Sequence, residues 1–149
     1  MRTYSYRDVA QWFLSQESMT PKKLQKLCYY FQAWSNALFD MPLISDTKFQ
    51  AWVHGPVSPQ LYSVYRGYGW NYIPDRENND EIFEDAALEL LYAVWNTYGD
   101  KSANELEALT HQETPWINAR RGYGAYENSN VEISDQDMAE YYKSIYIGG

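Results

Sequence analysis

The sequence predicts a mainly α (α+β) fold: a compact bundle of about six helices around one long central helix, with a small two- or three-stranded β element. Three observations carry that expectation. Ser or Thr repeatedly stands just before an apolar run with helical spacing, one such run lasts five turns, and only two short segments alternate in polarity. At 149 residues the chain has the usual size of one domain and is long enough to bury one sizeable core, so a single domain over 1–149 is expected.

The first helix follows Ser5, which with Asp8 three residues on has the form of a capping box; Val9, Trp12 and Phe13 then give one buried face. The central helix opens at Thr20 as N-cap with Pro21 in its first position, and Leu24, Leu27, Cys28, Phe31, Trp34 and Leu38 mark its stripe. "KFQAWVH" (48–54) and "NVEIS" (130–134) alternate as strands do and are expected to pair on the helices. Ser58 and Pro59 open a shorter helix that Gly67 ends. An acidic stretch from Asn71 to Glu89 starts as loop and leads into a helix marked by Leu88, Leu91, Trp95 and Tyr98, stopped by Gly99. Ser102 and Glu105 form a capping box ahead of Leu106 and Leu109, Thr114 with Pro115 opens another turn carrying Trp116, and Ser134 with Asp137 starts a final helix.

Composition removes several classes of function. Net charge is -8, which opposes a phosphate backbone as partner because that role needs a Lys/Arg face; no nucleic acid is expected. No run approaches the ~18 apolar residues of a membrane helix, and "MRTYSYRDVAQW" has no apolar segment after its charge, so the expectation is a cytoplasmic protein without a membrane partner. The one cysteine, Cys28, excludes an internal disulfide and falls on the apolar stripe, where a thiol stays un-ionised. With 15 Tyr and 6 Trp the chain is rich in rings that carry polar groups, and some of these are expected at the surface.

Catalytic chemistry finds little support. His54 and His111 lie in no helix-borne ligand pair, Glu113 two residues after His111 would not share its helical face, and no nucleophile-elbow or P-loop pattern occurs. "SPQLYSVYRGYG" and "TPWINARRGYG" echo each other, but neither extends to G-x-G-x-x-G, because Tyr72 and Glu127 occupy the third position. The echo reads as shared capping chemistry, Arg in a last turn and Gly after it. Lys22, Lys23 and Lys26 stand in the first turns of the central helix, where the dipole disfavours them. Either they pair with the acidic stretch, or one of them, Lys26, meets an acidic group on a partner. Gly55 and Pro56 make a turn of fixed angles between Trp52, His54 and the tyrosines Tyr62 and Tyr65, a stiff aromatic corner of the kind that interfaces use.

Three blocks, "MTPKKLQKLCYYFQAW", "FQAWVHGPVSPQLYSVY" and "LTHQETPWINAR", together resemble the Panacea domain family, also described as SocA-like antitoxins or phage-associated proteins. Leu24, Gln25, Lys26, Leu27 and Tyr29 or Tyr30 fit its first element, His54, Gly55, Pro56, Val57, Leu61 and Tyr62 its second, and His111, Glu113 and Trp116 its third. The resemblance implies a mostly helical antitoxin carried on a phage or other mobile element, which neutralises a cognate toxin by direct binding. One branch of the family implies a proteolytic adaptor that delivers the toxin to an AAA+ protease. The rival of another class is a small hydrolase built on His54, His111 and Glu113. On the antitoxin reading the partner-binding residues are Lys26, Tyr30, Trp52, His54, Gly55, Pro56, Tyr62, Tyr65, His111, Glu113 and Trp116, with no catalytic residue, metal or cofactor.

Overall fold

The structure is a computed structural model that describes residues 1–146. Among them are seven α-helices, α1 (Tyr6–Gln16), α2 (Pro21–Phe39), α3 (Pro59–Tyr65), α4 (Asp85–Tyr98), α5 (Ala103–Thr110), α6 (Thr114–Ala119) and α7 (Asp135–Ile145), and one hairpin of β1 (Gln50–Trp52) and β2 (Gly55–Val57). The expected mainly α architecture with a small β element is what the chain adopts. Most helix starts follow local chemistry. Ser5, Thr20, Ser58, Ser102 and Ser134 each accept a first-turn backbone N–H, and Ser102 and Glu105 close a complete capping box. At Ser5 the accepted N–H belongs to Arg7 rather than Asp8, and the Asp8 side chain returns no bond to the Ser5 N–H, so Ser5 caps the helix without the box read there. Glu113, not Thr114, caps α6, and it does so without a side-chain bond.

α2 is the hub against which α1, α3, α4, α5, α7 and β2 all pack. Its predicted stripe is buried except at Leu38, which is 39% exposed, and at half-buried Trp34. The stripe also understates the burial, because Gln25, Lys26, Gln32, Ser35 and Asn36 are inside as well. Such polar side chains are tolerated only when their groups find partners. The Gln25 amide donates to the Ser58 carbonyl (3.0 Å) and accepts from the Ser58 N–H (2.8 Å), and Gln32 holds Ile44 in the same way (3.0 and 2.8 Å). Each glutamine offers one donor and one acceptor, as a neighbouring strand would, and so fixes an irregular loop on the helix.

The surplus of tyrosine is explained in part by a buried network. Tyr30 and Tyr142 both donate to the Glu113 carboxylate (2.8 and 2.7 Å), the Tyr29 and Tyr142 hydroxyls lie 3.2 Å apart, and Tyr98 stacks on Tyr30 while accepting from the Trp34 indole (2.9 Å). Rings fill the core and their hydroxyls satisfy one another. Other rings stay outside as expected, with Trp70 84% and Tyr126 90% exposed.

The β element departs from the expected pairing in one respect. β1 does meet the second alternating segment, through the Ala51 N–H to the Val131 carbonyl and the Ile133 N–H to the Phe49 carbonyl (both 2.8 Å). It also pairs antiparallel with β2, a Gly-Pro-Val segment whose proline hides it from a strand pattern. Ala51, opposite Pro56, turns its N–H to Val131 instead, so proline forfeits no ladder bond. Gly67, read as the stop of α3, lies inside a short 3-10 turn (Arg66–Tyr68), and Gly69 with positive φ ends it.

The acidic stretch takes another place than expected. It straps onto α1, where the Arg76 N–H donates to the Leu14 carbonyl (3.1 Å) and the Trp12 indole donates to Asp80 (2.6 Å). The lysines of α2 therefore find other partners. Lys22 pairs with Glu107 and Lys23 donates to the Gly99 carbonyl, at the C-terminal end of α4 where the dipole favours a cation.

Candidate functional site

The Gly55–Pro56 corner is built from beneath. Gly55 has φ +111°, a region where side chains are strained, and an added Cβ would lie 2.7 Å from Lys26 Cε and 3.1 Å from Thr110 Oγ1. The lysine stem under the turn is why no side chain fits there. Lys26 is itself fully buried, and the Pro56 carbonyl is the acceptor for its Nζ (3.3 Å). Burial, and then the charge of Lys22, lower its pKa to about 7, against a smaller opposing pull from Glu107.

Above this floor the corner presents its rings. Trp52 is half-buried; its indole N–H donates to Gln50 (2.9 Å) and its ring meets Tyr62 edge-on at 5.1 Å. His54, at the tip, has a side chain that is 73% exposed, with Nδ1 3.3 Å from Glu107. Behind the tip Trp116 donates to the Trp52 carbonyl (2.9 Å) and stacks on His111 at 3.9 Å, while the Arg120 guanidinium lies 5.2 Å from the Trp116 ring. Arg120 also donates to the Ala51 carbonyl (2.8 Å) and to carbonyls of the 121–128 loop. Two shallow clefts flank the tip: one runs between His54, Glu107, His111, Trp116 and Arg120, the other between Trp52, Val57, Tyr126 and Asn130.

The electrostatics favour neutral imidazole on the inner wall. Burial lowers the pKa of His111, whose Nε2 is enclosed without a hydrogen-bond partner among the described residues. Glu107 stays ionised: burial opposes this, but hydrogen bonds from Lys22 and His54 outweigh it. Glu113 lies elsewhere. Burial raises its pKa, with the Tyr142 and Tyr30 hydroxyls working the other way.

The residues singled out in the sequence thus separate into layers. Trp52, His54 and Tyr62 share the outer corner, Gly55 and Pro56 form its buried turn, and His111 and Trp116 stand half-buried behind it. Lys26, Tyr30 and Glu113 are interior, out of reach of a partner's surface, Lys26 because it fills the space under the corner and the other two because they bond each other in the tyrosine network of the core. Tyr65 packs beside Tyr68, away from this cluster. The triad His54, His111 and Glu113 is not assembled, since the carboxylate that meets His54 is Glu107 and that of Glu113 is spent on two tyrosines. Glu107 carried a usable signal, four residues before His111 on one helix. Arg120 carried none beyond its place in the echo stretch 114–124, and Tyr126, two residues past that stretch, carried none. Among the described residues no group of three His, Cys, Asp or Glu is placed to hold a metal ion, and no helix is long and apolar enough to cross a membrane.

Residues 24–117, which contain the core of α2, the corner and α6 as far as Ile117, match the family described as "Antitoxin SocA-like, Panacea domain". The chain is also 28% identical over 134 residues to antitoxin SocA of Caulobacter vibrioides, a match that covers 80% of this chain and 70% of that protein. No solved structure matches the chain.

Proposed function

This chain belongs to the Antitoxin SocA-like, Panacea-domain family, and from that premise we propose that it is an antitoxin which neutralises a cognate toxin protein by gripping it at the Gly55–Pro56 corner. The observation that carries the reading is the layering of that corner. A buried turn locked by Lys26 holds Trp52, His54 and Tyr62 at the surface, so their rings are presented with little entropy left to lose. Of the buried members of the set, Lys26 acts by holding this shape, Tyr30 and Glu113 tie the core through Tyr142, and His111 and Trp116 support the tip from behind.

A net charge of -8 suits a basic toxin and speeds its encounter with this chain. The adaptor form of the same reading adds an AAA+ protease as second partner; it is distinguished by toxin that disappears only when the protease is present. On either form the chain makes and breaks no bond, and it acts in the cytoplasm as part of a phage-borne or otherwise mobile gene pair. The test is to co-express the protein of the neighbouring reading frame with and without this one. Growth arrest that this chain relieves is the expected result; a harmless neighbour, or arrest that persists, overturns the proposal.

A further inference from the structure

Three backbone segments meet at the hairpin, and their two outer edges differ. β2 is closed: Lys26 occupies the Pro56 carbonyl, Gln25 the Ser58 N–H, and α2 and α5 pack over it. Segment 130–133, on the far side of β1, is open. Because the Val131 carbonyl and the Ile133 N–H are spent on Ala51 and Phe49, the alternation of an antiparallel pair turns the N–H and C=O of Glu132 outward, while the Val131 N–H is held by the Ser129 hydroxyl (3.1 Å). The backbone groups of Asn130 and Glu132 have no hydrogen-bond partner among the described residues, and Asn130, Val131 and Glu132 are all exposed. Such an edge is a template for a further strand.

The surroundings say what kind of strand. From 127 to 140 the chain carries Glu127, Glu132, Asp135, Asp137 and Glu140 and no Lys or Arg. Lys48 neutralises Asp135, whereas no ion pair involves Glu132 among the described residues. The apolar side chain of Val131 is 38% exposed, and Asn130 borders the cleft of Trp52 and Tyr126. We propose that the 130–133 edge adds an extended segment of a partner protein, with lysine or arginine on one side and apolar side chains on the other, as a further strand of this sheet. The inference rests on the antitoxin reading only for who the partner is. The edge itself is defined by its free backbone groups and its charge.

The test uses a short capped peptide of alternating lysine and valine, titrated to about 1 mM into the isotope-labelled full chain. Amide signals of 129–133 are expected to shift, and exchange of the Glu132 N–H to slow. Glu132→Pro removes that outward N–H at an edge position where proline is tolerated, and is expected to weaken binding about tenfold. Glu132→Lys keeps the backbone and is expected to exchange preference toward a glutamate–valine peptide. Unchanged amides at 130 and 132, or Glu132→Pro and Glu132→Lys both binding the lysine–valine peptide as the native chain does, would show that Glu132 only guards the edge against self-pairing. The readout needs no toxin, so failure to relieve toxicity leaves it standing.

Discussion

Lys26 is the most expensive residue in the core, and its replacement by methionine tests the construction of the corner. Its folded pKa of about 7 lies below the ordinary 10.5, chiefly because burial penalises the ammonium. Between those values the unfolded chain holds a proton that the folded chain has released, so stability rises with pH across that window. Below pH 7 the full penalty applies, on the order of 5 kcal/mol; it shrinks by roughly 1 kcal/mol or a little more per pH unit above that. Lys26→Met keeps the stem that packs under Gly55 but leaves the Pro56 carbonyl without its donor, a loss of about 1–3 kcal/mol. The variant is therefore expected to be more stable than the native chain by a few kcal/mol near pH 6, with the gap closing or reversing by about pH 9. Urea unfolding followed by tryptophan fluorescence at a series of pH values reads this directly. Lys22, Glu107 and His111, the titratable neighbours, are present in both proteins and largely cancel in the difference. Parallel stability curves, or a variant weaker than the native chain at pH 6, would refute the reasoning.

Other substitutions separate architecture from recognition. Gly55→Ala, forced into positive φ against Lys26, is expected to lose roughly 2 kcal/mol or more in urea unfolding; an unchanged midpoint would deny the close approach. Tyr142→Phe removes one of the two hydroxyls on the Glu113 carboxylate and should cost about 1–3 kcal/mol by the same measurement, without altering the corner. Tyr126→Ala touches a ring that is 90% exposed, so its melting temperature should stay put while binding to the neutralised protein, read by calorimetry, falls by about 1 kcal/mol or more. Equal binding by Tyr126→Ala would remove that flank from the interface.

What the sequence reveals well is what short-range chemistry decides. Thr20 with Pro21, Ser58 with Pro59, and Ser102 with Glu105 announce helix starts because cap and first turn lie within three residues of one another. The burial of Gln25, Gln32 and Asn36 is invisible at that range. Each is polar, and each goes inside only because a distant segment, around Ser58, Ile44 or Asp135, comes to meet it. The site shows the same division. The tip residues Trp52, His54 and Tyr62 could be picked out beside the glycine and proline, but the pairing of His54 with Glu107 spans 53 residues and follows from the packing of α5 against β2. Glu113 misled for a related reason: two residues from His111 in the chain, it turns into the tyrosine network instead. The two Arg-Gly-Tyr-Gly motifs look alike and both of their arginines, Arg66 and Arg121, are exposed; it is Arg120, one residue before the second motif, that is buried and ties the 121–128 loop to β1.

The central claim, that the outer rings of the corner seize a toxin, is tested most directly by growth of cells that express the neighbouring reading frame together with a Trp52→Ala/His54→Ala/Tyr62→Ala variant whose melting temperature stays close to that of the native chain. The account predicts that the native chain restores growth and the variant does not. Rescue by the variant as full as that by the native chain would contradict it.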